Sequence, residues 1–296
     1  MKRFHLLIAL ALLLCASMWA QDQILNPTVY SFQEVVYPGD TFTQLLGINN
    51  ASLIAGYHNV TANSGFTLVL PNHFTTENYP GSAQTQVIGV SNNGKTVGFY
   101  IDQAGNTHGF TRSLAGLYSS VNFPHSVFNQ LLGQNDMSQA AGYYSMSVNN
   151  TTPDFPYIYD ENGGVFQVLT IPGAVGGAQA TGINNSQQVC GFYIDVHGVN
   201  HGFYLNFGTF TKLDFPGSIF TQALGLNNKN EVVGAYQDSS GATHGFVYNT
   251  VTKTWQSIDD PNGVGTTLVN GTNDKHQLVG FWGTSPLNTG FVATPQ

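Results

Sequence analysis

The chain has 296 residues, with 34 glycines and only 8% charged residues, and it shows no heptads or long helical stripes. This composition disfavours a helical cytosolic protein and favours an all-β one. Sixteen Asp and Glu oppose 8 Lys and Arg, so the negative balance argues against nucleic acid as a partner.

The first twenty residues have the layout of a secretory signal peptide. A basic pair at positions 2 and 3 precedes an apolar run from Leu6 to Leu14, and we expect cleavage after Ala20. An uncleaved anchor is the alternative, but the run is shorter than the roughly 18 to 20 residues that span a bilayer. We therefore predict removal of residues 1–20 and a secreted chain, extracellular or periplasmic, that has no membrane segment after cleavage.

The rest of the chain is dominated by an internal repeat with six copies. Each copy has a first glycine, in a Gly-apolar-Asn-like element, and a second glycine nine residues later: Gly47 and Gly56, Gly89 and Gly98, Gly133 and Gly142, Gly182 and Gly191, Gly225 and Gly234, Gly271 and Gly280. A proline lies nine or ten residues before each first glycine. A Gly-Phe pair closes five copies, and the third copy has Pro156-Tyr157 there.

Turn residues divide each copy into four short strands. In the fifth copy we predict strands at Phe220–Leu226, Glu231–Gln237, His244–Tyr248 and Thr254–Ile258. Four strands in about 44 residues form one blade of a β-propeller, whereas solenoid coils are shorter and a sandwich has no reason to repeat. The predicted fold is therefore one all-β domain, residues 21–296: a six-bladed β-propeller of four-stranded blades with cores near 38–79, 80–123, 124–171, 172–215, 216–260, and 261–296 plus 28–37.

The two ends of the chain complement one another. The sixth copy stops after its third strand, near Gly290-Phe291, while Thr28–Tyr37 resembles a fourth strand without a blade. Adding that strand to the last blade closes the ring and removes two exposed sheet edges.

The stretches FPGSIFTQALGLNNKNEVVGAYQDSSGATHGF, from Phe215, and NYPGSAQTQVIGVSNNGKTVGFYIDQAGNTHGF, from Asn78, resemble the HAF-type repeats of large secreted bacterial proteins. The resemblance covers nearly all of the chain beyond residue 20. This chain has His-Gly-Phe, in three copies, where the family has His-Ala-Phe. It implies export and a repeat architecture, and it implies no activity.

The most conspicuous polar pattern is an Asp-x-x-Gly-x-x-His turn. It occurs three times, at Asp102 and His108, Asp195 and His201, and Asp238 and His244. An Asp and a His facing one another could form a metal site or an acid-base pair. A structural turn is favoured, in which Asp begins the turn, Gly supplies a positive φ and His bonds to the Asp or the loop, because one active site would not need three such sets.

A second pattern places glutamine three residues before the first glycine in five copies: Gln44, Gln86, Gln130, Gln179 and Gln222, with Leu268 in the sixth. If the first strands line the axis, these amides form a polar collar at one mouth of a channel and are candidate ligand-binding residues. Bonding to neighbouring blades is the alternative. His58 is a further candidate, because it breaks the rule of an aromatic residue two positions after the second glycine. The longer loop Met146–Pro156 also departs from the pattern.

Cys190 is the one cysteine beyond residue 20, and it lies in an apolar run where other copies have Val, Ile or Ala. We predict a buried small hydrophobe rather than a nucleophile.

No catalytic motif stands out from the repeat, so catalytic residues, metal ligands and cofactors are not assigned. The leading hypothesis is an exported, monomeric binding or scaffold module for cell-surface or matrix polysaccharide, or for a surface protein. The rival is an exported propeller enzyme, a lyase or a lactonase-type hydrolase with an axial metal. A purely structural surface protein is the third possibility.

Overall fold

A computed structural model describes residues 27–59, 61–147 and 153–296, and within these ranges every regular element is a β-strand. The predicted signal peptide lies outside the described residues, as do five residues of the third-copy loop. In the described part of the chain, no helix is long and apolar enough to cross a membrane.

The described residues form 24 strands, one before the first copy and the others in runs of four, with three in the sixth copy. The first half contains β1 (Tyr30–Val35), β2 (Thr43–Ile48), β3 (Leu53–Asn59), β4 (Asn63–Val69), β5 (His73–Thr76), β6 (Gln84–Val90), β7 (Thr96–Ile101), β8 (Thr107–Arg112), β9 (Tyr118–Val121), β10 (Phe128–Gln134), β11 (Gln139–Ser145), β12 (Phe155–Asp160) and β13 (Val165–Val168). The second half contains β14 (Ala178–Ile183), β15 (Val189–Ile194), β16 (Asn200–Asn206), β17 (Thr209–Leu213), β18 (Phe220–Leu226), β19 (Glu231–Gln237), β20 (Thr243–Asn249), β21 (Thr254–Ile258), β22 (Thr267–Thr272), β23 (Leu278–Trp282) and β24 (Thr289–Pro295).

Consecutive strands within each copy pair antiparallel. Four sheets have four strands each, and an eight-stranded sheet combines the second and third copies, whose β8 and β10 are joined by one parallel pair, Thr107 opposite Phe128. The first strands of the copies contact one another in the cyclic order β2, β6, β10, β14, β18, β22 and back to β2. The predicted all-β propeller arrangement is thus confirmed, with the first strand of each copy next to a central axis.

The predicted strand limits of the fifth copy agree closely with the structure. Three of the four match, and the third strand, β20, extends one residue further at each end than predicted. The N-terminal strand β1 pairs antiparallel with β24, from Tyr30 opposite Pro295 to Val35 opposite Gly290. The sixth copy's sheet therefore has the order β1-β24-β23-β22.

The first glycine of each copy is explained by the closeness of the first strands. A Cβ on Gly47 would lie 2.6 Å from the Ile88 carbonyl oxygen in the next copy, and one on Gly225 would lie 2.6 Å from that of Asn270. The contacts continue around the axis, because a Cβ on Gly271 would lie 2.8 Å from the Leu46 carbonyl oxygen in the first copy. A side chain at any of these three positions would force neighbouring copies apart.

The second glycine and the Gly-Phe pair build the core of each sheet. In the fifth copy a Cβ on Gly234 would clash first with the Gln222 carbonyl oxygen of the adjacent strand and then with the ring of Phe246 at 2.8 Å, so the missing side chain leaves room for both. The equivalent aromatic residues are all fully buried: Phe66, Phe110, Tyr157, Phe203, Phe246 and Phe291. Tyr157 replaces phenylalanine in the third copy, and its buried hydroxyl donates to Asn129 at 3.0 Å, which satisfies it.

Cys190 is fully buried, and burial raises the pKa of its thiol to about 12. The prediction of a buried small side chain is confirmed. A thiol in this state has almost no thiolate at neutral pH.

Candidate functional site: the axial channel

A channel follows the axis between the first strands, and its lining changes along its length. In the first copy, Gln44, Leu46 and Ile48 line it in turn, before the Asn49-Asn50 turn. The wide mouth holds a cavity of about 250 Å³ at the level of the glutamines. A waist of about 70 Å³ lies at the first glycines, and a narrow mouth of about 60 Å³ lies at the turns.

The wide-mouth cavity combines amide groups with an apolar wall. Its lining residues are Gln44, Leu46, Tyr57, Gln86, Ile88, Phe99, Gln130, Leu132, Thr181, Leu224 and Asn270. Burial raises the pKa of Tyr57 to about 12, so its phenol stays protonated at neutral pH. This mouth is on the side of the proline-glycine loops and the Asp turns, because the first strands begin there.

The predicted glutamine collar divides into two groups. Gln44, Gln86 and Gln130 line the cavity, whereas Gln179 and Gln222 are not among its lining residues. The amide of Gln179 donates to Asp154 at 2.8 Å, and that of Gln222 donates to Asn200 at 3.3 Å. Gln179 and Gln222 therefore bond to neighbouring parts of the structure, as in the alternative interpretation of the glutamine pattern.

The amides that line the cavity keep free hydrogen-bonding capacity. Gln44 uses one N–H to bond Asn288 at 3.2 Å, and the Gln130 oxygen accepts from the Tyr143 hydroxyl at 3.0 Å. The side-chain amide of Gln86 lines the cavity and has no hydrogen-bond partner among the described residues. The side-chain oxygen of Asn270 is buried without a partner, at a position where four other copies have Leu or Ile. The cavity therefore offers both donors and acceptors.

The third-copy loop brings one carboxylate close to this mouth. Burial raises the pKa of Asp154, and the hydrogen bond from Gln179 opposes that effect. The pKa of Tyr143 is also raised, mainly by burial and further by the nearby Asp154 charge. Asp154 was not singled out from the sequence, although the length of its loop drew attention to the region.

The narrow mouth is surrounded by a cycle of hydrogen bonds between the turns that follow the first strands. The second residue of each turn donates its backbone N–H to the side-chain oxygen of the equivalent residue in the next copy, at 2.6–2.9 Å. The order is Asn50, Asn92, Asp136, Asn185, Asn228, Asp274 and back to Asn50. Six bonds therefore return to the starting residue.

The two aspartates in this cycle are three steps apart in either direction, so they face each other across it. Oδ2 of Asp136 accepts from the side-chain amides of its neighbours Asn92 and Asn185. Oδ2 of Asp274 accepts in the same way from Asn50 and Asn228. Burial alone would raise the pKa of Asp274, but these amide hydrogen bonds bring it below its usual value, so the group is ionised at neutral pH.

The first residue of the turn is asparagine in five copies, because this position needs a side chain that both accepts and donates hydrogen bonds. In the fourth copy, Asn184 Oδ1 accepts the backbone N–H groups of Ser186 and Gln188, and its Nδ2 donates to the Asn227 carbonyl in the next copy at 3.0 Å. Ser91 replaces it in the second copy, and its hydroxyl bonds only within its own turn, to Asn93 and the Lys95 carbonyl.

His58 lies outside the channel lining. It is 9% exposed, its ring stacks on Tyr37 with centroids 3.5 Å apart, and its Nδ1 is 3.0 Å from Oδ2 of Asp40. In the second copy, Tyr100 stacks on Tyr79 in the same way. His58 thus fills an aromatic position of the repeat and adds a contact to the loop that enters the first copy.

The Asp-x-x-Gly-x-x-His turns place each histidine between two partners. His201 lies 3.3 Å from Asp195 in its own turn and 2.8 Å from Asp214, which follows the fourth strand. His108 likewise lies 3.2 Å from Asp102 and 3.0 Å from Asn122. His244 bonds Asp259 at 2.9 Å but is 3.6 Å from Asp238, which is beyond hydrogen-bond distance. The aspartates of the three turns, Asp102, Asp195 and Asp238, all have lowered pKa values, and hydrogen bonds from their own turns are the largest cause.

Within the described ranges, no group of three or more His, Cys, Asp or Glu residues is placed to hold a metal ion. The two aspartates and amides of the narrow mouth were not predicted as a site. Aligning the copies would have found them, because Asp136 and Asp274 stand where the other four copies have Asn.

Comparison with solved structures shows the β-propeller fold. AofleA from Arthrobotrys oligospora matches with a TM-score of 0.55 and 12% identity, over 92% of this chain and 88% of that one. The lectin of Aleuria aurantia, described by a six-bladed β-propeller fold and a mode of fucose recognition, matches with a TM-score of 0.52 and 12% identity, over 89% and 92%.

TolB from Acinetobacter baumannii gives a TM-score of 0.57 at 11% identity over 73% of this chain, which spans 54% of the TolB chain. No protein-family model matches the sequence, and no match is found among curated proteins. At these identities the likeness establishes the fold.

Proposed function

We propose that the protein is an exported binding module that takes the end group of a neutral sugar into the wide mouth of its channel. One observation carries this proposal. In a cavity of about 250 Å³, the Gln86 side-chain amide and the buried Asn270 side-chain oxygen have no hydrogen-bond partner, and the rings of Tyr57 and Phe99 line the same cavity. Ligand pockets combine apolar walls with a few polar groups in this way.

Neutral ligands suit this cavity better than charged ones. Its lining contains no Lys, Arg, Asp, Glu or His. An acidic sugar would lose hydration without gaining a cationic partner and would meet Asp154 nearby, because Asp154 bonds the next glutamine of the collar. Hydroxyl groups both donate and accept, and they therefore match unpartnered amides.

The proposal includes a six-bladed ring closed by the N-terminal strand. The repeated sequence, the pairing of β1 with β24 and the six-membered cycle of turn contacts support it. Export is supported by the basic and apolar character of residues 1–14.

A binding assay with matched glutamine variants tests the site. Isothermal titration and thermal shift would use neutral monosaccharides and their methyl glycosides, with uronic acids as the charged comparison. We expect Gln86→Leu and Asn270→Leu each to weaken binding about 5- to 100-fold, since each removes hydrogen bonds to a buried ligand. The control is Gln222→Leu, which changes the equivalent residue of another copy outside the cavity lining.

Equal binding in all three variants would place the ligand elsewhere on the protein. Preference for uronic acids would contradict the neutral class, and an absence of binding across the neutral panel would refute the proposed ligand.

A further inference from the structure

At the narrow mouth, the third and sixth copies both depart from the repeat at two successive levels of the channel, the turn cycle and the level next to it. Asp136 and Asp274 replace Asn in the turn cycle. The same copies also have polar residues one layer further in, Gln134 and Thr272, where the others have Ile48, Val90, Ile183 and Leu226. Because the two aspartates face each other, these substitutions form one polar line across the axis.

Gln134 gives an independent indication that the narrow mouth holds a guest. Its side chain is 8% exposed and lines the cavity of about 60 Å³. Both its amide oxygen and its amide nitrogen are buried without a hydrogen-bond partner. Leaving such a group unsatisfied costs about 1–3 kcal/mol of stability. The aliphatic side chains at this position in the other copies have no polar atoms and carry no such penalty.

The charge around the cavity favours a cation. Two carboxylates and no Lys, Arg or His are among its lining residues. The other polar groups that line it are amide and hydroxyl oxygens and amide nitrogens, and Ile48, Val90, Ile183 and Leu226 form the apolar part of the lining. Oxygen donors of this kind suit hard cations such as Ca²⁺ and Mg²⁺ rather than metals that prefer nitrogen or sulfur.

We propose that the narrow mouth binds one hydrated divalent cation of the Ca²⁺ or Mg²⁺ class, between Asp136 and Asp274, with the Gln134 amide oxygen as a ligand from the channel side. Oδ2 of each aspartate already accepts two amide hydrogen bonds. The ion therefore keeps water molecules between itself and these oxygens, and the Gln134 amide nitrogen donates to one of them. The ion ties together opposite sides of the cycle, and the site is independent of the sugar site at the other mouth.

Metal binding to the full mature chain tests this site after dialysis against EDTA. Native mass spectrometry should count one ion per chain with CaCl₂ or MgCl₂. Titration should give a dissociation constant of about 10⁻⁴ to 10⁻³ M, as for sites with few charged ligands. At 10 mM ion the melting temperature should rise by about 2–5 °C relative to NaCl of equal ionic strength.

Three variants separate this site from general ionic effects. Gln134→Leu introduces the kind of side chain found in the other copies and should abolish the ion and its thermal shift while the metal-free protein remains folded. The double change Asp136→Asn with Asp274→Asn should also abolish binding. Asp154→Asn removes a carboxylate near the opposite mouth and should bind the ion like the parent.

Retention of the shift in Gln134→Leu would overturn the assignment, as would the absence of a bound ion in the parent protein. If the double aspartate variant fails to fold, the Gln134→Leu result alone decides.

Discussion

Replacing Gly225 by alanine tests whether the first strands meet too closely for any side chain. The added Cβ would lie 2.6 Å from the Asn270 carbonyl oxygen and 3.2 Å from the Gly271 Cα, both backbone atoms of the next copy. Ordinary contacts begin near 3.4 Å, so a strand would have to retreat by about 0.8 Å in a closely packed core. Overpacking of this kind costs about 1–3 kcal/mol.

Two other glycines provide a graded comparison. A Cβ on Gly182 would meet mainly side-chain atoms, Leu226 Cδ2 at 2.7 Å and Cys190 Sγ at 3.1 Å. Since side chains can rotate away, we expect a loss below about 1 kcal/mol. A Cβ on the exposed Gly163 would meet only Val165, at 3.3 Å, and alanine there should be neutral or stabilise by up to about 1 kcal/mol through the unfolded state.

Urea unfolding followed by tryptophan fluorescence would measure the three variants against the parent. Gly225→Ala should lower the free energy of unfolding by about 2 kcal/mol, which corresponds to about 4–8 °C in melting temperature. The expected order of stability is Gly163→Ala, then Gly182→Ala, then Gly225→Ala. If Gly225→Ala were as stable as Gly163→Ala, the close approach of the strands would not be the reason for the first glycine.

Three further predictions concern the strand closing the last sheet, the buried thiol and the wide mouth. Deleting Thr28–Val36 should leave β24 as an open edge, so the protein should aggregate or melt well below the parent in light scattering and thermal scans; melting at the parent temperature would contradict this. Cys190 should resist Ellman's reagent in the native protein, because the thiol is buried and its raised pKa keeps it protonated, and it should react in urea. Rapid labelling of the native protein would contradict this burial. The raised pKa of Asp154 means that its ionised form is disfavoured in the fold, so the stability from its protonated form is present below about pH 4 and is lost as the pH rises through the folded pKa. Asp154→Asn should therefore gain stability over the parent at pH 7 and not at pH 3.5, and an equal effect at both pH values would rule out this titration.

The sequence predicts the frame well because each of its parts is dictated by local chemistry. In the fifth copy the Asn227-Asn228 turn ends β18 and the Asp238–Gly241 run ends β19, and both strands have the predicted limits. The place of β1 follows from a count of strands, because without it β24 would have a partner on one edge only and the last sheet would have three strands. The parallel bridge between β8 and β10 has no such signal, since it depends on how closely two sheets approach in space.

The candidate sites were harder to predict, because equivalent residues acquire different partners once they are placed in three dimensions. Five glutamines look alike in the sequence, yet Gln179 is tied to Asp154 while Gln86 faces the cavity. Asp154 belongs to a loop with no counterpart in the other copies, so no repeat rule could give its position. His58 shows the reverse, because a departure from the pattern proves to be a substitute ring in a repeated stack.

Departures from the repeat point to function only when they converge in space. A lone departure such as His58 can be absorbed by one neighbouring loop, and Leu268 simply removes a glutamine from the collar. Gln134 and Asp136 are different, because they change adjacent layers of the same copy and face matching changes in the sixth copy. Random drift at these positions would leave Gln134 with an energetic cost and no compensation. The position of the unpaired amide next to two facing carboxylates therefore makes the narrow mouth the place where an ion would remove that cost.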